Sequence, residues 1–594
     1  MLPGIQSITI VDGSIGLTTS NIGLHVKLGT SSNGPINSIQ SLSNINDAKT
    51  IFGSGKLVDA CAVSFDIVSS PVYAMRMSAS VAGSVSPITV NLQSGSDGDI
   101  STSGSSPLDD LQVIVQMVRA GKVGVAPYPT FIYSLDNGNT FSPETAVPGG
   151  GVFVIPQTGV TITFSNGGTG FKANDQFTFY TVGSTFNNTD LSNALTALLG
   201  DSRQWEFVHV VGPVSATLAS TVDTYMNTAQ TNKRFVHAII ESRDMNLLAT
   251  LDGTAITFPL TTVNGNQLVV AISSDGGNTF DVTRSFTFAA TTYANLAALV
   301  AALNVTSFTG GLFSVSAGTV ANTLRFTIPS NAGKTVLKID ASSTGGLLTA
   351  LGLTSGQLSQ GESENAWINS IVADYSNFAS LRVCVCAGSA AIFSQASGEY
   401  NRRSCGSLVA ARNALIPISE DFGNVQRGPL PDILNRLPNG ASGLYHDEYV
   451  TPSLDAARFT TLRTIPGIQG YYITNGRIMA PNGSDFTFMQ YRRVMDQATT
   501  LLNAAATKFI NTTVRTNANG TIFEVDARKI EKNIYAYMFG NMRQDVSDIK
   551  VVVDRNNNVY QTLTINITAN VQPFGYAKYI NLTIGFAPVQ VVSV

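Results

Sequence analysis

Paired thiols are the first feature of this sequence that could do chemistry. The stretch RVCVCAG places Cys384 and Cys386 two residues apart, so both thiols would face one side of a strand. Two thiolates can bind zinc, but no second cysteine or histidine pair follows at zinc-ligand spacing. We therefore expect these two, together with Cys61 and Cys405, to be buried structural cysteines in a reducing compartment.

The histidines and acidic residues form no catalytic pattern. The four histidines are scattered through the chain: His25, His209, His237 and His446. His209 and His237 lie within apolar strand patterns, which predicts core positions. Adjacent Asp447 and Glu448 would point to opposite faces of a strand, which is a poor start for a catalytic carboxylate pair. The Gly-x-Gly of residues 51–56 is too short to cradle a phosphate. The sequence predicts a non-enzymatic chain without a metal or cofactor.

The composition favours a protein that packs against copies of itself. Charged residues make up 12% of the 594 residues, against about 25% in an average soluble protein. The net charge of −4 comes without a concentrated basic face, so we expect no nucleic-acid partner. The first residues lack the basic and apolar segments of a signal peptide, and no run of 18 apolar residues exists. We expect no membrane insertion.

The elements predicted from hydrophobic patterns form an α/β body that is interrupted twice. Helical spacing at 56–68 and 190–200 is followed by strand patterns at 71–77 and 205–212, and a further helix is predicted at 406–414. The predicted fold is α+β or α/β, with mixed sheets, flanking helices and two β-rich inserted domains. The predicted discontinuous core comprises residues 1–95, 186–249 and 362–594, and the two insertions comprise residues 96–185 and 250–361.

Each insertion contains one copy of a short motif. SLDNGNTF (134–141) and SSDGGNTF (273–280) both read Ser-x-Asp-x-Gly-Asn-Thr-Phe. Asp136 and Asp275 can accept hydrogen bonds from the backbone two residues on, while Gly138 and Gly277 permit positive φ. The motif resembles the Asp-box hairpin of sialidases and many unrelated β-proteins. A sugar-processing propeller needs several boxes at regular spacing, so we expect one stable hairpin in each insertion.

The C-terminal third predicts a hairpin, two helices and several strands. Asn475-Gly476 is a strong hairpin-turn signal within residues 471–480. Ser484 can cap the longest helix, whose predicted seam is Phe488, Tyr491, Met495, Ala498, Leu502, Ala505 and Phe509. A second helix near 525–540 turns Ala527, Ile530, Ile534 and Tyr537 to one side. Its other face carries the basic residues Arg528, Lys529 and Lys532. Strands are expected at 548–554, 559–569 and 579–586.

The two chain ends carry apolar strand patterns. Within a predicted C-terminal domain of about 450–594, alternation places Ile580, Leu582, Ile584 and Phe586 on one face of a strand in the chain's own sheet. Pro588 then interrupts hydrogen bonding. A C-terminal arm (587–594) follows, and an N-terminal arm (1–12) begins the chain. We predict that both arms add to the sheets of neighbouring copies through Ile5, Ile8, Ile10, Val589, Val591, Val592 and Val594.

The order of these elements resembles the tail sheath proteins of contractile-tailed bacteriophages, a family that shares its fold with other contractile injection machines. LPGIQSITIVDG, GLHVKLGTSSNGPINSIQSLSNINDAKTIFG and PVYAMRMSAS carry the N-terminal likeness. AWINSIVADYSNFASLRVCVCAG through ARNALIPISEDFGNVQRGPL continues it. The likeness covers residues 1–95, 186–245 and 362–594.

The resemblance implies a structural virion protein. Six-membered rings would stack helically around an inner tail tube, linked by exchanged terminal strands. Contraction would drive the tube through the bacterial envelope for genome delivery, without nucleotide. Implied partners are further copies of the chain, the tube protein, the baseplate and the terminator or neck proteins. The location would be the virion tail, assembled in the host cytoplasm. The family also places a C-terminal helix against the tube, which implies that Arg528, Lys529 and Lys532 face it.

Two other functions remain open from the sequence. A surface or virion adhesin would use the Asp-box domains to bind glycans, and a glycoside hydrolase would act on them. Aromatic and charged residues that converge in one insertion would favour the adhesin. Two facing carboxylates would favour the hydrolase.

Overall fold

The fold is known from a computed structural model, which describes residues 22–68, 71–86, 88–102, 104–310, 312–318, 320–329, 335–437 and 442–586. The chain is α+β, with several separate sheets flanked by helices. It divides into two compact units. Among the described residues, the larger unit comprises 22–416 together with 421–489, and the C-terminal unit comprises 417–420 together with 490–586. The predicted arms (1–12 and 587–594) lie outside the described residues.

A six-stranded sheet, here called the central sheet, organises the larger unit. In spatial order its strands are Ile39–Leu42, Val72–Arg76, His25–Gly29, Phe207–Pro213, His237–Glu241 and Val383–Cys386. The first strand is antiparallel to its neighbour and the other five are mutually parallel. Parallel strands need helical crossovers, which explains the helical stretches between them.

Helices cover both faces of the central sheet. Val208 and Val210 face one side, while Phe207 and Cys384 face the other, as the period of two requires. The helices packed on the first side are Asn188–Gly200, Ala216–Thr231 and Glu364–Asp374. Those on the second are Ile45–Phe52, Lys56–Ile67 and Gly406–Leu415. The helices predicted at 56–68, 190–200 and 406–414 are confirmed to within two residues.

The first β-rich region (84–182) has its own core, rich in phenylalanine. Its strands are Ser84–Val85, Thr89–Asn91, Gly98–Ser101, Leu111–Arg119, Thr130–Ser134, Thr145–Ala146, Val152–Ile155, Val160–Asn166 and Gln176–Val182. The chain enters and leaves the region at one point, because Val81 and Thr185 form an antiparallel bridge.

The second β-rich region (248–360) also has a separate apolar core. Its strands are Leu248–Asp252, Leu260–Thr261, Gln267–Ser273, Val282–Thr287, Thr292–Tyr293, Ser314–Ala317, Leu324–Pro329 and Val336–Ile339. Its helices are Leu296–Leu303, Thr306–Thr309 and Gly345–Ala350. Thr250 and Gln360 form an antiparallel bridge at its base. The predicted domain boundaries themselves stay predictions.

Two hairpins and a short 3-10 helix complete the larger unit. The hairpins pair Ser389–Ser394 with Glu399–Ser404, and Leu462–Ile465 with Ile468–Ile473. The 3-10 helix is Val425–Arg427. None of the helices in the described residues is both long enough and apolar enough to cross a membrane.

The C-terminal unit packs helices against a two-stranded sheet. Its helices are Met489–Thr507 (which begins one residue before the unit), Glu524–Met542 and Val559–Thr562. Its antiparallel strands are Val546–Val553 and Ile567–Pro573. The predicted helix at 525–540 is confirmed. The buried side of helix Met489–Thr507 carries Val494, Ala498, Leu501 and Ala505, so the predicted seam is only partly right. This helix and Glu524–Met542 are equally long, at 19 residues each, so the prediction that the first is the longest is wrong.

The turn predicted at Asn475-Gly476 is wrong. The hairpin instead turns at Pro466-Gly467, where Gly467 has a φ of 77° and the strands meet at Ile465 and Ile468. Proline followed by a positive-φ glycine suits such a turn. The Asn475 side chain donates a hydrogen bond to Asp455 instead (2.8 Å).

Two strand predictions near the C-terminus are also wrong. Residues 559–562 form a helical turn, and the strand begins only at Ile567. Asn558 explains this, because its side chain accepts from the Gln561 N–H and caps the turn. Residues 579–586 form no strand, and no described strand lies beside them to complete a ladder.

The bridge at the base of the second β-rich region leads to a test. Replacing residues 251–359 by Asn-Gly should leave a soluble chain with an intact central sheet, because Thr250 and Gln360 are already paired. Arg243 and Glu362 add an ion pair beside this point (2.5 Å). Circular dichroism and thermal unfolding of the shortened chain would measure the outcome. A control cut through Val383–Cys386 removes a strand of the central sheet and should abolish folding. Equal damage by both cuts would contradict the prediction.

Candidate assembly interface

The sheet of the C-terminal unit is small and open. Strands Val546–Val553 and Ile567–Pro573 pair only with each other among the described residues. Helix Glu524–Met542 covers one face through Ala527, Ile530, Ile534, Met538 and Met542. Sheet edges without a neighbouring strand offer backbone donors and acceptors to a strand from elsewhere. This sheet can therefore accept further strands.

An exposed apolar stretch ends the described chain. Tyr576 holds its start, since the phenol donates to the Ser419 carbonyl (2.5 Å) and the ring packs on Tyr491 with centroids 5.4 Å apart. Beyond it, residues 579–586 (the terminal segment) leave their large apolar side chains in solvent. These are Tyr579, Ile580, Leu582, Ile584 and Phe586, each at least 75% exposed. Such a contiguous apolar surface marks an interaction site.

The basic residues on helix Glu524–Met542 are accompanied by acids. Arg528 pairs with Glu524 (2.6 Å), and Arg555 pairs with the same carboxylate (3.0 Å). Hydrogen bonds from Arg555 and Arg528 lower the pKa of Glu524 to about 2. Lys529 and Lys532 are exposed on the helix. The predicted basic face therefore carries its accessible positive charge mainly on these two lysines. Its orientation towards a tube stays a prediction.

The two Asp-box turns share one geometry. The Asp136 carboxylate accepts from Ser134 Oγ (2.8 Å) and from the Thr140 N–H (2.8 Å), and Asp275 makes the equivalent contacts. The backbone acceptance reaches four residues on, rather than the two that the sequence suggested. Gly138 and Gly277 have φ values of 86° and 90°.

The two boxes differ in what surrounds them. Asp136 is 4% exposed, and its second carboxylate oxygen accepts from the Tyr400 N–H (3.1 Å). The first box thus holds its β-rich region to the hairpin that contains Tyr400. The box around Asp275 lies at the surface, with Asn278 and Thr279 exposed.

Buried polar residues cross the central sheet. Lys27 Nζ lies 3.2 Å from His209 Nδ1, and His209 Nε2 lies 3.0 Å from Glu241 Oε1. Glu241 also accepts from the Gly212 N–H (2.8 Å). Burial lowers the pKa of Lys27 to about 8 and that of His209 to about 4. His209 is a satisfied core residue, as predicted, and these hydrogen bonds join three adjacent strands of the central sheet.

The cysteines are buried, as predicted. Cys61, Cys384, Cys386 and Cys405 are all free thiols with no exposed surface. Burial raises the pKa of Cys61 to about 12 and also raises that of Cys386, so these thiols are poor nucleophiles. No cluster of three potential metal ligands occurs within the described ranges.

The sequence did not lead us to predict that Lys27 is a buried polar residue of the central sheet. In GLHVKLG, polar and apolar residues alternate, and His25 and Lys27 stand where a parallel central strand usually carries apolar side chains on both faces. That pattern was the available signal. It indicates a partner on the neighbouring strand, which the structure shows to be His209.

One protein-family model matches most of the chain. A model described as DUF2586, N-terminal domain, matches residues 2–258 and 261–477. The chain belongs to this family. No curated protein matches it in sequence.

Three solved structures are similar to the chain at low identity. The sheath tail protein of Listeria innocua is 10% identical, with 94% of this chain and 93% of that one covered and a TM-score of 0.38. The sheath tail protein of Desulfitobacterium hafniense is 8% identical, with 95% and 100% covered and a TM-score of 0.37. A chain of the anti-feeding prophage baseplate is 9% identical, with 99% of both chains covered and a TM-score of 0.39.

The difference between the Asp-boxes predicts unequal effects of one substitution. Asp136→Ala removes the local turn bonds and also the bond to Tyr400, so it should destabilise the larger unit by about 1–3 kcal/mol more than Asp275→Ala. Asp275→Ala, the matched control, loses only the turn bonds. Urea unfolding of both variants would measure the difference. Equal destabilisation would show that the Tyr400 contact contributes nothing.

Proposed function

We propose that this chain is a structural subunit of a contractile tail sheath and assembles by giving strands to other copies. The observation that carries the proposal is the terminal segment, whose apolar side chains are exposed beside no strand of its own. The two-stranded sheet of the C-terminal unit is a suitable acceptor on another copy. The ordered likeness of the sequence to tail sheath proteins supports the same assignment.

The energetics of strand addition are favourable. The terminal segment alternates Ile580, Leu582, Ile584 and Phe586, so one face of an added strand would be apolar. Each large side chain contributes about 1.5–3 kcal/mol when buried, and each hydrogen bond about 0.5–1.5 kcal/mol. Part of this is lost because the segment must be ordered. Several kcal/mol remain for each link, and every subunit repeats it.

The proposed assembly comprises six-membered rings stacked around an inner tube, with the baseplate and the terminator or neck proteins at its ends. Contraction needs two packings of the same subunits, held together by flexible strand links while they shift. The sequence has no phosphate-binding loop, which fits energy stored kinetically in the extended state. The subunit would have no catalytic role and would reside in the virion tail.

Lys529 and Lys532 are the residues that we propose face the tube. They are exposed on a helix whose apolar side is committed to the unit's own core. Arg528 lies on the same face but is paired with Glu524. The two lysines would bind an acidic surface of the tube protein. The net charge of this chain, −4, is small and would repel such a surface only weakly.

The strand link can be tested with two double variants. Ile584→Ser with Phe586→Ser should leave a folded, soluble chain that forms no long cylinders in negative-stain microscopy, because the added strand loses apolar burial. Val125→Ser with Val263→Ser changes two exposed valines of the β-rich regions and is the control, which should form normal cylinders. Normal cylinders from the first variant would refute the strand link.

The tube contact predicts a salt-dependent effect. Lys529→Glu with Lys532→Glu should weaken co-sedimentation with the tube protein, most strongly at low salt, because salt screens exposed charges. Lys122→Glu with Lys233→Glu makes the same charge change elsewhere and should bind the tube normally. If both double variants bind equally well, the two lysines are merely solvated.

A further inference from the structure

The larger unit contains a cleft whose lining no assembly step uses. It has a volume of about 550 Å³, within the range of roughly 300–1,000 Å³ that small-molecule sites occupy. The first β-rich region contributes Gln112 and Tyr180, and the second contributes Thr250 and Thr327. The body of the unit contributes Tyr445 and its neighbours. Three separately folded parts thus converge on one concave surface.

The cleft has a fixed planar group at its wall. The Arg402 guanidinium lies 3.8 Å from the centroid of the Tyr445 ring. Asp244 holds the same guanidinium through two hydrogen bonds, of 2.6 and 2.9 Å. Stacking and bidentate pairing together fix both side chains before any ligand arrives, which reduces the entropic cost of binding.

The charges around the cleft are balanced. Each cationic side chain that lines it in the described structure has a carboxylate partner: Lys56 with Asp110 (2.7 Å), Arg243 with Glu362 (2.5 Å), Arg325 with Asp252 (2.7 Å) and Arg402 with Asp244 (2.6 Å). A phosphate or carboxylate ligand would have to displace one of these carboxylates. A cation would likewise have to displace an arginine or lysine from one of these carboxylates. The lining therefore favours a neutral ligand.

The remaining lining groups select for hydroxyls and C–H faces. Tyr180 and Tyr400 contribute aromatic rings, and Thr250, Ser316 and Thr327 carry hydroxyls. Burial raises the pKa of Tyr180 and of Tyr445, so both phenols stay protonated and can donate. The ion pair uses two of the five guanidinium donors of Arg402. Asp244 Oδ1 also accepts from Ser389 Oγ (2.9 Å) and from the Met245 N–H (2.7 Å), so the remaining acceptor capacity of this carboxylate lies on Oδ2. Such pairs can bind adjacent hydroxyl groups.

We propose that this cleft binds a neutral saccharide. Its ring hydroxyls would bond to the Arg402 guanidinium and to Asp244 Oδ2, and its C–H faces would pack on the Tyr180 ring. Asp136 of the first Asp-box also lines the cleft, but its carboxylate is already bonded to Ser134, Thr140 and Tyr400. The site is independent of sheath assembly and would give the subunit a second, binding role.

Titration calorimetry of the full chain against lactose, maltotriose, cellobiose and diacetylchitobiose tests the proposal, with inorganic phosphate and sialyllactose as anionic probes. At least one neutral saccharide should bind. Tyr180→Ala should weaken its binding about 10-fold or more, and Thr250→Tyr, which fills the cleft, should do the same. Tyr128→Ala, at an exposed tyrosine outside the cleft, should leave affinity unchanged.

Three results would overturn the proposal. One is no binding of any neutral saccharide at about 10 mM, a concentration about ten times a Kd of 1 mM. Another is tighter binding of phosphate or sialyllactose than of every neutral probe. The third is unchanged affinity in both Tyr180→Ala and Thr250→Tyr, with thermal unfolding showing that both variants are folded.

Discussion

The interaction that fixes the larger unit is a buried series of polar contacts that runs from Lys27 through His209 to Glu241. These residues lie on three adjacent parallel strands, and the series forms only when the strands stand in one register. A buried lysine without its partners would cost several kcal/mol, so any slip of one residue is strongly disfavoured. Apolar packing alone would tolerate such slips better. The polar contacts therefore specify the sheet that the apolar core stabilises.

A sheet specified in this way tolerates long interruptions. The chain leaves the body at Val81 and returns at Thr185, and it leaves again near Thr250 and returns at Gln360. Both exits are bridged, so each region closes its own ends and places no strain on the sheet. The entropic cost of a longer excursion grows only slowly with its length. This explains how two regions with separate cores can lie between strands of one sheet, and how a cleft comes to be lined by all three parts.

Much of the fold could be predicted because its signals are local. Helix Asn188–Gly200 buries Leu191, Ala194, Leu195 and Leu198 at helical spacing, and it was predicted to within two residues. The hairpin at Pro466-Gly467 was missed because two turn signals competed and the weaker-looking one matched the strand register. The contacts of Lys27, Arg402 and Asp244 could not be read from sequence, since each joins residues far apart in the chain.

The prediction that residues 579–586 form a strand in the chain's own sheet is wrong for a physical reason. The alternating apolar residues indicate a strand, but they do not indicate whose sheet it completes. A two-stranded sheet is marginal by itself, and here one helix provides most of its apolar cover. Each strand added to a sheet of this size contributes strongly to its stability. An apolar segment that lies outside any sheet makes no such contribution. In the described structure, the two-stranded sheet has open edges and the terminal segment lies in none of the sheets. Association between copies, as we propose, would satisfy both at once.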